Sequence, residues 1–331
     1  MMNLPDLYPL KFTTHLKRVI WGGKRIAAYK GIDTGDAHIG ESWEISDLDG
    51  KKITVAGGTL SGKTLSELIE LYGDRLVGPL SMRQYGNRFP LLFKFIDARH
   101  DLSIQVHPDQ QKAQELRGEN GKYEICYVID AAPGARFLNG LNRPLTVVEL
   151  EEALLKGNVT GFLNSYQSEE ADFQYVPAGR IHAIGAGHLL AEIQQASDVT
   201  FRLHDYGRRD ENGRERELHI AEAKEVIDTT PPEVARIDYD KDARRAEIAV
   251  CPWFVINRLV LKDGEKVLLP PHEGSFLVAM VIEGNFTLTC KGADATPLRR
   301  GETVFIPASL QETAVEGSGV ILTTHLPNSN P

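Results

Sequence analysis

Short apolar runs broken by Gly, Pro, Asn and Asp recur through most of the chain, and this pattern constrains the fold more than any other feature. The runs fall at 91–97, 102–107, 125–130, 173–179, 188–194 and 199–204. After residue 245 they become denser, from EIAVCPWFVINRLVL to GVILTT. Many short strands with turn residues between them predict a sandwich or barrel. Helical signals are fewer. Thr64-Leu-Ser-Glu67 and Thr146-Val-Val-Glu149 have capping-box spacing, the second stopped by Gly157, and 109–117 and 219–227 have helical periodicity.

The segment 229–242 is polar and carries Pro231 and Pro232. It is the expected boundary between a first domain, 1–235, with helical insertions and a compact second one, 236–331. The expected fold class is therefore all-β. Two short echoes suggest that the domains are related: Tyr175-Val-Pro-Ala-Gly resembles Phe305-Ile-Pro-Ala-Ser, and Tyr127-Val-Ile-Asp resembles Met280-Val-Ile-Glu.

Composition narrows the function classes. Of 331 residues, 37 are basic and 46 acidic, a net charge of −9. Broad binding to nucleic acid or anionic membrane needs the opposite excess. An anionic ligand would need a local cluster of Lys and Arg. Cys126, Cys251 and Cys290 are odd in number and lack CxxC spacing. That argues against a disulfide scaffold and for a reducing compartment. Pro5 and Asp6 stand where a secretion signal would need an apolar run, and no stretch approaches the ~18 apolar residues of a membrane helix. A cytoplasmic location is expected.

Gly57-Gly-Thr-Leu-Ser-Gly62-Lys63-Thr64 satisfies the phosphate-loop pattern. Alternating strand–helix units, which a nucleotide-binding parallel sheet requires, are missing from the rest of the chain. A turn followed by a helix cap is the better reading.

The residues that carry chemistry cluster elsewhere. In Asp101-Leu-Ser-Ile-Gln-Val-His-Pro-Asp109, strand alternation puts Ser103, Gln105 and His107 on one face and Leu102, Ile104 and Val106 on the other. Lys122 and Glu124 share a face in the next strand, and His182 follows in Val176-Pro-Ala-Gly-Arg-Ile-His182. Two imidazoles, a carboxylate and an amide oxygen suit a divalent metal with an open position. Hydrogen-bonded histidines of a polar cavity are the alternative from spacing alone. Lys94 and Arg202 lie inside apolar runs, where each must find a cavity or an anion, or else snorkel. His100, His188, His219, His272 and His325 have no motif behind them and are expected at the surface or in loops.

Seven segments in order resemble the zinc-dependent type I mannose-6-phosphate isomerases. They are Trp21-Gly-Gly, Gly40-Glu-Ser-Trp-Glu-Ile-Ser46, Phe89-Pro-Leu-Leu-Phe-Lys-Phe-Ile-Asp-Ala98, Leu102-Ser-Ile-Gln-Val-His-Pro108, Gly121-Lys-Tyr-Glu124, Val176-Pro-Ala-Gly-Arg-Ile-His182 and Ser197-Asp-Val-Thr-Phe-Arg-Leu-His-Asp-Tyr-Gly-Arg208. They span 21–208, about two-thirds of the chain, and the length resembles the short bacterial form.

The resemblance implies two cupin-like jelly rolls, the second degenerate, and one zinc per chain on Gln105, His107, Glu124 and His182. Aligning the two echoes puts Glu312 where His182 stands and Leu277 opposite Glu124, so no comparable metal is expected in the second domain. The implied reaction interconverts mannose 6-phosphate and fructose 6-phosphate through an enediol(ate). Lys122 and Arg202 are the candidate catalytic residues, and Lys94 and Ser103 the candidate phosphate ligands. The base stays open between Lys122 and a metal-bound water, with Glu192 as a further candidate or a support for a ligand histidine. Tyr123, Cys126, Phe201 and His204 depart from the family's usual Thr, Trp, Tyr and Tyr, beside functional positions rather than at them. A non-catalytic sugar-phosphate-binding cupin and an iron cupin oxygenase are the competing readings. No nucleic-acid or membrane partner is expected, and a monomer is favoured.

Overall fold

A computed structural model describes residues 4–328 except 211, 271 and 273. Its strands form three antiparallel sheets. The first has seven strands in the order Arg236–Ile237, Phe173–Val176, Glu124–Ala131, His188–Gln195, Leu91–Ala98, His15–Gly23, Ile39–Ile45. The second has five: Phe201–His204, Ile104–Val106, His182–Ile184, Arg136–Leu141, Leu163–Gln167. These two face each other as a jelly roll. Trp21, Ile96, Leu102, Val128, Phe137, Val176, Ile184 and Leu190 pack between them at its apolar end.

The third sheet is built mainly from Arg245–Val250, Val255–Leu268, Leu277–Thr289, Thr303–Ile306 and Ala314–His325. Leu10–Lys11 adds to it through Phe305 and Val304, so both ends of the chain meet in this sheet. It curls around an apolar interior that includes Leu259, Leu277, Val281, Phe286, Leu288 and Ile321. Leu277 is one of those packed residues, while Glu312 is exposed and paired with Lys291 at 2.6 Å. Neither is placed to hold an ion inside this barrel.

The outer face of the first sheet is covered by the third. Phe93, Phe95, Tyr127 and Phe173 share a core with Ile256, Phe276, Val278, Met280 and Phe305. Phe89 and Phe276 have ring centroids 4.8 Å apart, and Phe276 and Phe305 stack at 5.4 Å. At about 1.5–3 kcal/mol for each buried large side chain, this interface is far too costly to open as a hinge. The first sheet is therefore apolar on its outer face and free to carry polar residues on its inner one.

The sequence echoes correspond in three dimensions. Ile125 pairs with Tyr175 in the first sheet, and Val278, its counterpart, pairs with Phe305 in the third. Both capping boxes form, on Leu65–Tyr72 and Val147–Leu155, and Asp109 caps Gln110–Arg117. The phosphate-loop pattern is a turn: Thr64 pairs with Thr54 and its hydroxyl caps Glu67 N.

Two helices escape sequence periodicity. Arg25–Lys30 has only six residues, and Asp74–Tyr85 is broken at Gly78 and Pro79, where Gly78 has φ 85°. The expectation of surface or loop positions fails for His188 and His325, which are buried within strands; His272 is buried but lies in a loop, as expected. Each directs Nδ1 at a backbone carbonyl that can accept its proton: Gly185 O, Leu326 O and Pro270 O.

Candidate active site

Two rows of side chains face each other across the jelly roll. On the five-stranded sheet, Arg202 is the register neighbour of Gln105, Gln105 of His182, and His182 of Asn139. On the seven-stranded sheet, Trp43, Lys94, Glu192, Cys126 and Gln174 form one row, with Gln194 and Glu124 in the next. Cross-strand neighbours point to the same face, so each row delivers its groups to the interior together.

The loops complete the convergence. Pro108 ends the strand after His107, and Asp109 starts the next helix. Lys122 N donates to Pro108 O at 3.0 Å, over a turn where Gly121 lies so close that an added Cβ would sit 2.5 Å from Gln110 N. Gly179, at φ 82°, donates its N–H to His107 O at 2.8 Å. That left-handed residue ties the Val-Pro-Ala-Gly turn to the first histidine and so sets the second, His182, beside it.

His107, Glu124 and His182 each offer an atom to one buried cluster, all within 4.8 Å of one another. The two imidazole centroids are 5.0 Å apart. His107 Nδ1 lies 2.9 Å from Val199 O and His182 Nδ1 2.9 Å from Arg180 O. Both rings therefore carry their proton on Nδ1, leaving the Nε2 lone pairs aimed at Glu124, at 3.5 Å and 3.0 Å. Gln105 Nε2 is 3.3 Å from His182 Nε2, and a half-turn of the amide puts its oxygen there instead.

Glu124 is the decisive group. Both of its carboxylate oxygens are buried and neither accepts a hydrogen bond of acceptable geometry, although Lys122 Nζ is 2.8 Å from Oε2. Burial would protonate it, yet the Lys122 ammonium holds its carboxyl well below the usual carboxylate range. His107 is held well below the usual imidazole range by burial and then by Lys122, so it stays neutral. An anionic carboxylate with idle lone pairs facing two imidazole nitrogens fits a divalent cation, with Gln105 as the fourth donor.

Next to this cluster, with Gln105 and Lys122 between, lies a cavity of about 260 Å³. Its wall includes Lys94, Ser103, Gln105, Lys122 and Arg202, so the sequence-derived residues come together there. Lys94 is buried and donates to Glu192 Oε1 (3.0 Å) and Gln194 Oε1 (2.7 Å), with Glu41 at 3.7 Å. Burial alone would discharge it, but Glu192 and Glu41 push its pKa above the ordinary lysine value. Arg202 is half-buried. It donates to Glu217 O at 2.8 Å, and its Nε is buried without a partner.

The expected alternation holds from Ser103 to His107, with Ser103, Gln105 and His107 on the site side. Ile104 and Val106 enter the core beneath, but Leu102, just before the strand, turns to the cavity side with Ser103.

Lys17, Glu41, Asp198, Thr200 and Arg216 also line the cavity, and spacing did not single them out. Lys17, Lys51 and Lys94 place their ammonium groups 4.8, 5.2 and 5.2 Å from the ring centroid of buried Trp43. Asp198 pairs with Lys51 and lies 3.9 Å from Lys17. Glu41 and Asp198 stand inside quoted motifs, so a signal existed. Arg216 is in a polar loop, held by Asp205 at 2.7 Å, and nothing in the sequence marks it. A larger open cleft beside Lys24, Arg25 and Arg99 shares none of these groups.

Comparison with known proteins agrees with this geometry. Residues 9–126 match the model of the phosphomannose isomerase type I catalytic domain, and 270–326 that of the mannose-6-phosphate isomerase cupin domain. Mannose-6-phosphate isomerase ManA of Bacillus subtilis is 35% identical over 96% of this chain and 99% of its own. The chain belongs to the type I phosphomannose isomerase family. A Streptococcus mutans member, mannose-6-phosphate isomerase, is 31% identical over 96% of this chain and 98% of its own. The crystal structure of the mannose 6-phosphate isomerase from Bacillus subtilis superposes with a TM-score of 0.86 at 33% identity, covering 96% of this chain and 99% of that one. The family's catalytic and cupin models thus fall on the front jelly roll and on the third sheet, respectively. No helix among the described residues is long and apolar enough to cross a membrane.

Proposed function

We infer that the chain is a mannose-6-phosphate isomerase, an aldose–ketose isomerase acting on the open-chain sugar. The observation that carries the reading is the convergence of His107, Glu124 and His182 next to a cavity lined by Gln105, Lys122 and Arg202. We assign one zinc ion per chain to Gln105, His107, Glu124 and His182. When bound, it supplies Lewis-acid polarisation of the sugar oxygens at C1 and C2.

The remaining chemistry falls to the chain's own side chains. Lys122, beside Glu124, takes the proton from the carbon next to the carbonyl and returns it to the neighbouring carbon. Arg202 faces the same cavity from the opposite sheet, and its guanidinium stabilises the negative charge that develops on oxygen. Lys94 uses two of its three donors on Glu192 and Gln194, which leaves one for the phosphate, alongside the Ser103 hydroxyl. Phosphate binding orients the reacting carbons. The division into a catalytic domain, 1–235, and a metal-free one, 236–331, belongs to this reading. So do a monomeric state and a cytoplasmic location, the latter supported by three buried free cysteines.

A coupled isomerase assay on purified protein, before and after metal removal, tests the function. Chelation is expected to abolish turnover, and zinc to restore it at about one ion per chain. Metal-replete protein that leaves both hexose phosphates untouched overturns the reading. Lys122→Met is expected to lower kcat by about 10²–10⁴-fold with zinc content and KM little changed. Its pH–rate profile should also lose the limb that reports the base. An unchanged profile would move the base elsewhere.

A further inference from the structure

Cys126 and Glu192 stand directly opposite each other on neighbouring strands, and Glu124 lies two residues from Cys126 on the same face. A second buried cluster therefore lies behind the cavity wall, reaching it through Glu192. One oxygen of Glu124, Cys126 Sγ and one oxygen of Glu192 all lie within 4.8 Å of one another. Glu192 gives Oε1 to Lys94 at 3.0 Å, while its Oε2 has the Cys126 thiol at 3.9 Å. Both Glu124 oxygens are buried without a hydrogen bond. No step of the isomerisation uses Cys126.

The geometry points to a second cation site at Glu124, Cys126 and Glu192, selective for thiophilic dications such as Cd²⁺ and inhibitory when filled. Sulfur is the soft donor that the His107, His182 and Gln105 set lacks, so a soft ion distinguishes the two clusters. Glu124, shared by both, would bridge them through its carboxylate. On binding, the S–H bond of Cys126 breaks, the S–metal bond forms and one proton passes to solvent. Lys94, beside Glu192, and Lys122, 2.8 Å from Glu124 Oε2, oppose a second cation, so the site fills after the first. Glu192 lines the reaction cavity, which gives the ion a way in and places it where the sugar must lie. Binding does not depend on the isomerase reading; inhibition does.

The test is a Cd²⁺ titration of zinc-loaded protein. A second ion per chain is expected, with a thiolate-to-cadmium charge-transfer band in the ultraviolet and turnover falling as the band grows. Cys126→Ser should lose the band and the second ion, and inhibition should need about tenfold or more Cd²⁺. A band that persists in the variant belongs to Cys251 or Cys290 and overturns the site. So does cadmium that replaces zinc one for one without a sulfur signal. Should the variant fold poorly, cadmium-113 NMR of the unsubstituted protein decides: a sulfur-ligated resonance supports the site, and nitrogen- and oxygen-ligated signals alone overturn it. A second ion with the band, in protein that never turned over hexose phosphate, would sink the isomerase reading and leave the site standing.

Discussion

His107→Ala and Glu124→Gln should each lower isomerase turnover by about 10³-fold or more, because each removes a donor from the cluster that holds the electrophile. The two changes reach that result differently. His107→Ala deletes an imidazole fixed by Val199 O and opens a void beside His182. Glu124→Gln keeps the shape but removes the carboxylate that reaches both rings, and it takes from buried Lys122 its 2.8 Å partner. Both proteins should therefore purify with little zinc, and added zinc should not rescue them. Metal content and the coupled assay check this together. Either variant retaining one zinc and wild-type turnover would show that the ion, or the chemistry, lies elsewhere.

Lys94→Met should cost about 3–5 kcal/mol of stability, far more than an ordinary surface change. The reason is what the ammonium leaves behind. Glu192 is buried and loses its 3.0 Å partner, whereas the partly buried Glu41 keeps Lys17 at 3.4 Å. Urea unfolding measures the loss. Glu192→Gln in the same background should recover part of it, since the double variant buries one charge fewer, and the non-additivity reports the pair directly. A loss under about 1 kcal/mol would mean that the pair is solvated and worth little. In whatever fraction folds, KM for the sugar phosphate should rise while zinc content holds, because Lys94 is assigned to the phosphate and not to the ion.

These two results would separate two kinds of information. Ser103, Gln105, His107, Lys122, Glu124 and His182 were legible because strand alternation displays them in short motifs, and the two echoes foretold a second barrel in matching register. Lys94 and Arg202 stood out as charges in apolar runs, although nothing local said what they would meet. Glu192 stood out only as a candidate base or a support for a ligand histidine, and its pairing with Lys94 depends on residues 98 positions apart. The two helices that periodicity missed are too short or too broken to carry a pattern.

The sequence by itself determined the all-β class, the capped helices and which polar side chains share a strand face, because these depend on alternation, capping and turn chemistry within about ten residues. Only the tertiary structure decided that Arg202 and Gln105 face Lys94 and Glu192 across one cavity with His182 and Glu124 meeting next to it, and that Lys17, Asp198 and Arg216 line it too. Those meetings are set by strand register and by the packing of one sheet on another. Both arise from long-range burial, which no short window of residues contains.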